Sequence, residues 1–188
     1  MIRIGILGDI GSGKSFVAKN FGHPVFNADL EVTKLYQKDK KVYNRLNRIL
    51  PHYFKKFPIS KYEVSKAILK NNKNLKKIIK VVHLEVKKKL KFFLDKNKKK
   101  KIVILDIPLL LENKINNKND ILVFVQSRKT DILKRLKKRK NFNEKLIKKF
   151  RTIQLPLDFK KKKAQFIIKN NFTSSAIKKK IKKILKEI

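Results

Sequence analysis

All five glycines of this chain lie within its first 22 residues. Three of them belong to the segment Gly8–Ser15 (GDIGSGKS), which matches the pattern G-x-x-x-x-G-K-[ST]. The apolar run Ile2–Leu7 before it predicts a buried parallel strand, and Ser15–Phe21 is typical of a helix opening. A strand, a glycine-rich turn and a helix in this order indicate a phosphate-binding loop. No other feature constrains the fold as strongly.

Each position of this motif has a chemical reason. Glycines let backbone N–H groups converge on phosphate oxygens, the Lys14 ammonium would reach the β- and γ-phosphates, and the Ser15 hydroxyl would ligate Mg²⁺. The alternative is a glycine-rich turn without a ligand. The predicted ATP-binding residues of this segment are Gly11, Ser12, Gly13, Lys14, Ser15 and Phe16.

Predicted strands and helices alternate along the rest of the chain. Short apolar runs predict strands at 24–26, 102–106, 121–125 and 166–168. Helical spacing of apolar residues predicts helices within 30–94 and at 130–140, 144–154 and 174–188. With right-handed crossovers this order predicts an α/β fold. Its parallel sheet has about five strands flanked by helices, and its ligands bind at the carboxyl ends of the strands.

The charge of the chain is +38, from 52 Lys and Arg against 14 Asp and Glu. Such an excess normally indicates a nucleic-acid or anionic-membrane partner. Lysine far outnumbers arginine, however, and residues with A/T-rich codons dominate the composition. The lysines are also spread along the chain without interleaved aromatic residues, so we expect genome bias and no specific nucleic acid. A nucleic-acid-binding protein with a vestigial loop is the alternative.

Cysteine is absent, which excludes disulfides, a cysteine nucleophile and thiolate metal sites. No apolar run approaches the roughly 18 residues that a membrane span needs, and the apolar start is too short for a signal sequence. We therefore expect a soluble, cytoplasmic protein without a membrane partner. The oligomeric state stays open.

One aspartate ends a predicted strand and another closely follows one, so both would lie at the carboxyl edge of the sheet. Asp106 ends the most apolar strand and would hold Mg²⁺ in the manner of a Walker-B carboxylate, the alternative being a helix cap or turn residue. Asp29 would face the acceptor and could accept a hydroxyl proton during transfer. Helix capping is the alternative for Asp29 as well.

Arginine is rare in this chain, which draws attention to Arg135, Arg139 and Arg151. The planar guanidinium group suits phosphoryl oxygens better than an ammonium does. Arg135 and Arg139 are four residues apart, on one helix face, and solvated surface residues are the alternative. His83 lies in an apolar helical stretch, where its chemistry alone favours a half-buried structural role.

Six segments, in this order and spacing, resemble dephospho-CoA kinases, which are P-loop kinases related to nucleoside monophosphate kinases. The resemblance covers nearly the full length. The segments are Ile4–Ala18, Pro24–Asp29, Ile79–His83, Leu105–Glu112, Arg135–Arg139 and Arg151–Gln154.

The resemblance implies transfer of the ATP γ-phosphoryl group to the ribose 3′-hydroxyl of dephospho-CoA. It implies that Lys14, Asp29 and Arg139 are catalytic. It also implies that Arg135, Arg139 and Arg151 bind ATP. Arg139 and Arg151 would lie in or beside a lid that closes over ATP. The acceptor-binding positions it implies are Asp29, Lys61, His83, Pro108, Leu109 and Leu110. The single domain would comprise a core (1–28, 100–138 and 164–188), an acceptor-binding helical insert (30–95) and a lid (139–152).

Five positions depart from the family pattern and bear on rate and substrate affinity. Asp9 replaces a glycine, which is unfavourable beside phosphate unless its side chain turns outward. The other departures are Asn27 for aspartate, Lys61 for arginine, Leu84 for proline and Gln165 for aspartate. The alternative within the same class is another small-molecule kinase, such as a nucleoside monophosphate kinase, and the helical insert would decide between the two.

Overall fold

A computed structural model of the chain describes residues 1–139 and 142–188, so residues 140 and 141 of the predicted lid lie outside the described residues. It contains one five-stranded sheet of order β2-β3-β1-β4-β5 in which all neighbouring strands are parallel. The strands are β1 (Ile2–Gly8), β2 (Val25–Asn27), β3 (Ile102–Asp106), β4 (Ile121–Gln126) and β5 (Phe166–Lys169). The predicted fold class is confirmed.

The helices of the described residues account for most of the remaining chain. They are α1 (Lys14–Asn20), α2 (Ala28–Lys38), α3 (Lys40–Ile49), α4 (Lys61–Lys70), α5 (Asn72–Lys96), α6 (Lys129–Lys137), α7 (Glu144–Arg151), α8 (Leu157–Lys163) and α9 (Ser174–Glu187). The long helical stretch is therefore four helices. Helix α8 was not predicted, because its sequence LDFKKKK has no apolar periodicity. No described helix combines the length and the apolar character that a bilayer span requires.

The chain divides into two compact units. The first consists of residues 1–27, 94–142 and 154–188, and contains the sheet. The second consists of residues 28–93 and 143–153. The lid and insert boundaries given above stay predictions.

The first unit buries apolar side chains of the central strands. Ile4, Ile6 and Ile104 are fully buried in a cluster that also contains Val17 of α1 and Ile177 of α9. Buried, near-continuous apolar strands are what a parallel sheet covered by helices requires. This packing fixes the carboxyl end of β1, where the glycine-rich loop begins.

The second unit has its own apolar core, which includes Leu46, Phe54 and Leu75, each with no exposed surface. Local polar bonds define its helix ends. Ser60 caps α4 in a reciprocal capping box with Glu63, which satisfies donors at the first turn of the helix.

A buried ion pair fixes helix α8 within the first unit. The Lys160 ammonium lies 2.6 Å from Oε1 of Glu112, and their side chains are 2% and 9% exposed. The same Glu112 oxygen accepts a hydrogen bond from the backbone N–H of Leu155 at 3.0 Å. One lysine of the run Lys160–Lys163 is thus turned inward while the other three are exposed.

The substitution Lys160→Met tests this ion pair. Loss of the ammonium leaves the Glu112 carboxylate buried without its charge partner, so we expect the free energy of unfolding to fall by about 3 kcal/mol. The control Lys161→Met alters an exposed neighbour and should change it by no more than about 0.5 kcal/mol. Urea denaturation measures both, and equal stability of the two variants would show that the buried pair does not stabilise the fold.

Candidate active site

The carboxyl edge of the sheet gathers polar groups from every strand. Because all five strands are parallel, their carboxyl ends share one edge. The glycine-rich loop leaves β1 at Gly8, and β2 and β3 end at Asn27 and Asp106. Ser127 follows β4 and Asn170 follows β5. The candidate site is therefore built on the central sheet of the first unit.

The Lys14 side chain folds back over the loop. Its ammonium donates hydrogen bonds to the carbonyl oxygens of Gly8 at 3.2 Å and Asp9 at 2.8 Å. The loop is also closed by the Ser12 N–H, which donates to the Asp9 carbonyl at 3.1 Å. The Asp9 carboxylate accepts from its neighbour, the Ile10 N–H, at 2.7 Å. This places one cation and several amides in a compact turn, as phosphate binding requires.

Only glycine fits at position 13. Gly13 has φ +89°, in the left-handed region, and a Cβ there would meet the Asn170 amide and lie 2.8 Å from the Phe172 ring. The motif glycine is thus required by backbone conformation and by close packing from the loop after β5.

Ser12 is almost fully buried. It is 1% exposed, and its hydroxyl has no hydrogen-bond partner among the described residues. Its carbonyl oxygen accepts hydrogen bonds from the Ser127 hydroxyl and from Nδ2 of Asn170, both at 2.8 Å. The loop is therefore held by side chains from two neighbouring strand ends.

Asp106 is a buried carboxylate beside the motif residues. It is 3% exposed, and burial raises its pKa, which hydrogen bonds from Ser15 and Asn27 and the Lys14 charge partly offset. The Asn27 amide donates to Asp106 at 2.5 Å. An aspartate at position 27 would bring a second carboxylate there, so asparagine suits this local arrangement.

The Ser15 hydroxyl and the Asp106 carboxylate form an oxygen-donor pair that fits Mg²⁺. In the described part of the chain, no group of three or more His, Cys, Asp or Glu residues could hold a metal ion by itself. Magnesium typically takes one or two protein oxygens together with substrate phosphates. This site matches that mode of binding.

The two α6 arginines occupy different positions. The Arg135 guanidinium lies over the Phe172 ring, 4.0 Å from its centroid, in a cation–π contact. Arg139 is exposed beyond the end of α6, and its carbonyl accepts from the Phe142 N–H at 3.0 Å. The contact with Phe172 therefore sets Arg135 next to the loop that packs on Gly13.

Four other predicted site residues lie in the second unit. Asp29 is exposed in the first turn of α2, Lys61 is exposed at the start of α4, and Arg151 is exposed at the end of α7. His83 is half-buried in α5, and its Nε2 has no hydrogen-bond partner among the described residues. Burial and the nearby Lys87 lower the pKa of His83, so the imidazole is neutral at pH 7.

The predicted acceptor segment after β3 is split between surface and core. Pro108 and Leu109 are half-buried, whereas Leu110 has no exposed surface. A Cβ on Gly5 would lie 2.5 Å from Cδ2 of Leu110, so this leucine packs directly on β1.

Gln165, which departs from the family pattern, forms two hydrogen bonds with Leu122 of β4. Its backbone N–H donates to the Leu122 carbonyl, and its Oε1 accepts from the Leu122 N–H at 2.8 Å.

Three residues at the loop were not among the predicted site residues. They are Ser127, Asn170 and Phe172. Ser127 and Asn170 immediately follow β4 and β5, so the rule that identified Asp106, a polar residue just after a buried strand, also applies to them. No local signal in the sequence identifies Phe172, because its ring matters only through its contacts with Arg135 and Gly13, which are distant in the chain.

Comparison with known proteins gives a consistent result. A family model described as dephospho-CoA kinase matches residues 2–176. A dephospho-CoA kinase of Wolbachia pipientis wMel is 34% identical over 187 residues, covering 97% of this chain and 95% of the relative. One from Bartonella henselae is 34% identical over 170 residues, covering 88% and 87%.

Solved structures agree on the fold. A crystal structure of a Thermus thermophilus protein superposes with a TM-score of 0.77 at 25% identity, covering 100% of this chain and 97% of that one. A dephospho-CoA kinase from Campylobacter jejuni gives 0.62 at 22% identity, with 98% and 96% coverage. A shikimate kinase from Acinetobacter baumannii, at 0.51 and 16%, shares the fold alone.

Asp106→Asn tests the electrostatics of the site without nucleotide. Because burial raises the folded-state pKa of Asp106, its contribution to stability is present at low pH and is lost as pH rises through that pKa. The variant lacks this titration, so we expect it to gain stability relative to wild type as the pH rises above about 4, the ordinary aspartate value. Urea denaturation at successive pH values measures the gain.

Asp158→Asn, at an exposed position of α8, controls for the removal of one negative charge from a basic protein. A pH trend common to both variants would show that the burial of Asp106 does not cause it.

Proposed function

This chain belongs to the dephospho-CoA kinase family, and we propose that it phosphorylates the ribose 3′-hydroxyl of dephospho-CoA with ATP. The products are CoA and ADP, and the reaction is the last step of coenzyme A biosynthesis. The observation that carries the proposal is the loop Gly8–Ser15, with Lys14 and Ser15 beside the buried Asp106, in a chain that the family model covers almost completely.

In this proposal the loop binds the phosphates of ATP. Lys14 exchanges its bonds to the Gly8 and Asp9 carbonyls for bonds to the β- and γ-phosphate oxygens. The loop amides supply fixed donors that need no reorganisation during transfer. Positioning and charge stabilisation then account for most of the catalysis, as is usual for phosphoryl transfer.

Ser15 and Asp106 are the residues proposed to hold Mg²⁺. A Mg²⁺ ion held there would supply positive charge that offsets the negative charge of the phosphates during transfer. Asp106 must be ionised for this role. The hydrogen bonds from Ser15 and Asn27 and the charge of Lys14 all favour its ionised form against the effect of burial.

Asp29 is proposed to accept the proton of the attacking hydroxyl. The acceptor oxygen forms a bond to the γ-phosphorus, the bond from that phosphorus to the β,γ-bridging oxygen breaks, and ADP leaves with that oxygen. The hydroxyl proton passes to the Asp29 carboxylate. This assignment rests on the family match and on the position of Asp29 two residues after the end of β2.

The remaining roles are assigned by family resemblance. Arg135, Arg139 and Arg151 are proposed to bind ATP, and closure of the lid would exclude water and suppress hydrolysis. The proposed acceptor-binding residues are Lys61, His83, Pro108, Leu109 and Leu110. A neutral His83 with an unpartnered ring nitrogen suits a hydrogen bond to the acceptor.

The partners that we propose for this chain are its two small-molecule substrates. ATP and dephospho-CoA are both polyanions, which a strongly basic surface attracts. The family match does not support the two alternatives named above, a nucleoside monophosphate kinase and a nucleic-acid-binding protein. That the chain has no specific nucleic-acid partner, and that it is cytoplasmic, stay predictions.

An acceptor panel tests the reaction itself. ADP release from ATP and Mg²⁺ is followed in a coupled assay with dephospho-CoA, AMP, CMP, UMP or no acceptor. We expect turnover with dephospho-CoA alone. Turnover only with a monophosphate would contradict the proposal and indicate a nucleoside monophosphate kinase.

Asp29→Asn tests the proposed base. The amide cannot accept the hydroxyl proton, so we expect kcat to fall by about 10²–10⁴-fold. The ATP dissociation constant should stay unchanged, because the phosphate loop is intact. Steady-state kinetics and calorimetry give the two values, and near-normal turnover would remove Asp29 from the mechanism.

A further inference from the structure

The carbonyl oxygen of Ser12 is held by two side chains. The Ser127 hydroxyl, just after β4, donates to it at 2.8 Å, and so does Nδ2 of Asn170, just after β5. Ser12 and Asn170 are 1% and 4% exposed. Because water hardly reaches the Ser12 carbonyl, loss of either donor leaves it with a single hydrogen bond.

The direction of the Asn170 amide is fixed by a further bond. Its Oδ1 accepts from the backbone N–H of Phe172 at 2.8 Å, so its Nδ2 must face Ser12. The space that this amide needs exists because residue 13 is glycine, whose added Cβ would meet the Asn170 nitrogen. Donor, acceptor and space thus all specify asparagine at position 170.

These bonds orient the next peptide group as well. The peptide bond between Ser12 and Gly13 is trans and planar, so its C=O and N–H point in opposite directions. Donors that fix the Ser12 carbonyl toward the ends of β4 and β5 therefore fix the Gly13 N–H on the opposite side.

We propose that Ser127 and Asn170 are positioning residues of the nucleotide site, which hold the Ser12–Gly13 peptide so that the Gly13 N–H is presented to a phosphate oxygen. The inference rests on the proposed function, in which this loop binds the phosphates of ATP. Neither side chain has to touch the nucleotide. Without these two side chains the peptide group rotates more freely. Phosphate binding must then fix its orientation, and the entropy lost in doing so lowers the affinity for phosphate.

Asn170→Asp is the most direct test. The carboxylate keeps the size of the side chain and an acceptor for the Phe172 N–H, but it replaces the donor to Ser12 with an oxygen. We expect ADP and inorganic pyrophosphate, each with Mg²⁺, to bind about tenfold more weakly or worse. Isothermal calorimetry gives both dissociation constants.

Asn171→Asp is the matched control. It adds the same charge one residue away at an exposed position, where Oδ1 accepts from the backbone N–H and the hydroxyl of Thr173. A carboxylate preserves those bonds, and solvent screens its charge. We expect affinities within about twofold of wild type.

The two variants separate positioning from general stability. Both are assayed at a temperature where circular dichroism shows them folded, so a loss of stability alone leaves pyrophosphate affinity unchanged. Equal pyrophosphate affinity of Asn170→Asp and Asn171→Asp would overturn the inference. If Asn170→Asp does not fold, Ser127→Ala decides: we expect about threefold weaker binding, and unchanged binding would overturn the positioning role.

Wild-type turnover, measured in parallel, distinguishes this inference from the proposed function. A wild type that binds ADP and pyrophosphate without phosphorylating dephospho-CoA would refute the proposed reaction and leave the positioning role intact. A wild type that binds neither ligand would overturn both.

Discussion

The parallel pairing of β1 between β3 and β4 is the constraint on which the site depends. It puts the start of the glycine-rich loop at an edge where every strand contributes a polar residue. A loop with three glycines in eight residues has little rigidity of its own. The side chains that immediately follow β4 and β5 bond to its Ser12 carbonyl, and Ser15, the last residue of the loop, donates a hydrogen bond to Asp106. The sheet thus supplies the rigidity that phosphate binding requires.

Stability and chemistry oppose each other at Asp106. Burial disfavours its charge, whereas ligation of a cation requires that charge. The amide of Asn27 and the hydroxyl of Ser15 reduce the conflict, because each donates a hydrogen bond to the carboxylate. The departure from the family pattern at position 27 is therefore compatible with the site: the asparagine is a donor where a second carboxylate would add repulsion.

The lysine excess of the chain contributes little to its fold. Most lysines are solvated, which suits a composition set by codon bias, and surface charges contribute little to stability. Among the residues that the structure describes, Lys160 is the exception, since its ammonium is buried against Glu112. Glu112 also accepts from the Leu155 N–H, so one buried charge fixes both α8 and the segment that precedes it.

The sequence by itself determined the phosphate loop, the five strands and the parallel α/β order, because these depend on periodicity and spacing within short segments. It also placed Asp106 at the carboxyl edge of the sheet, because all parallel strands end at that same edge. Only the tertiary structure decided that Lys160 faces inward, that Leu110 packs on β1, and that Asn170 holds Ser12. Those outcomes depend on partners 48 to 158 residues apart along the chain, which no local pattern encodes.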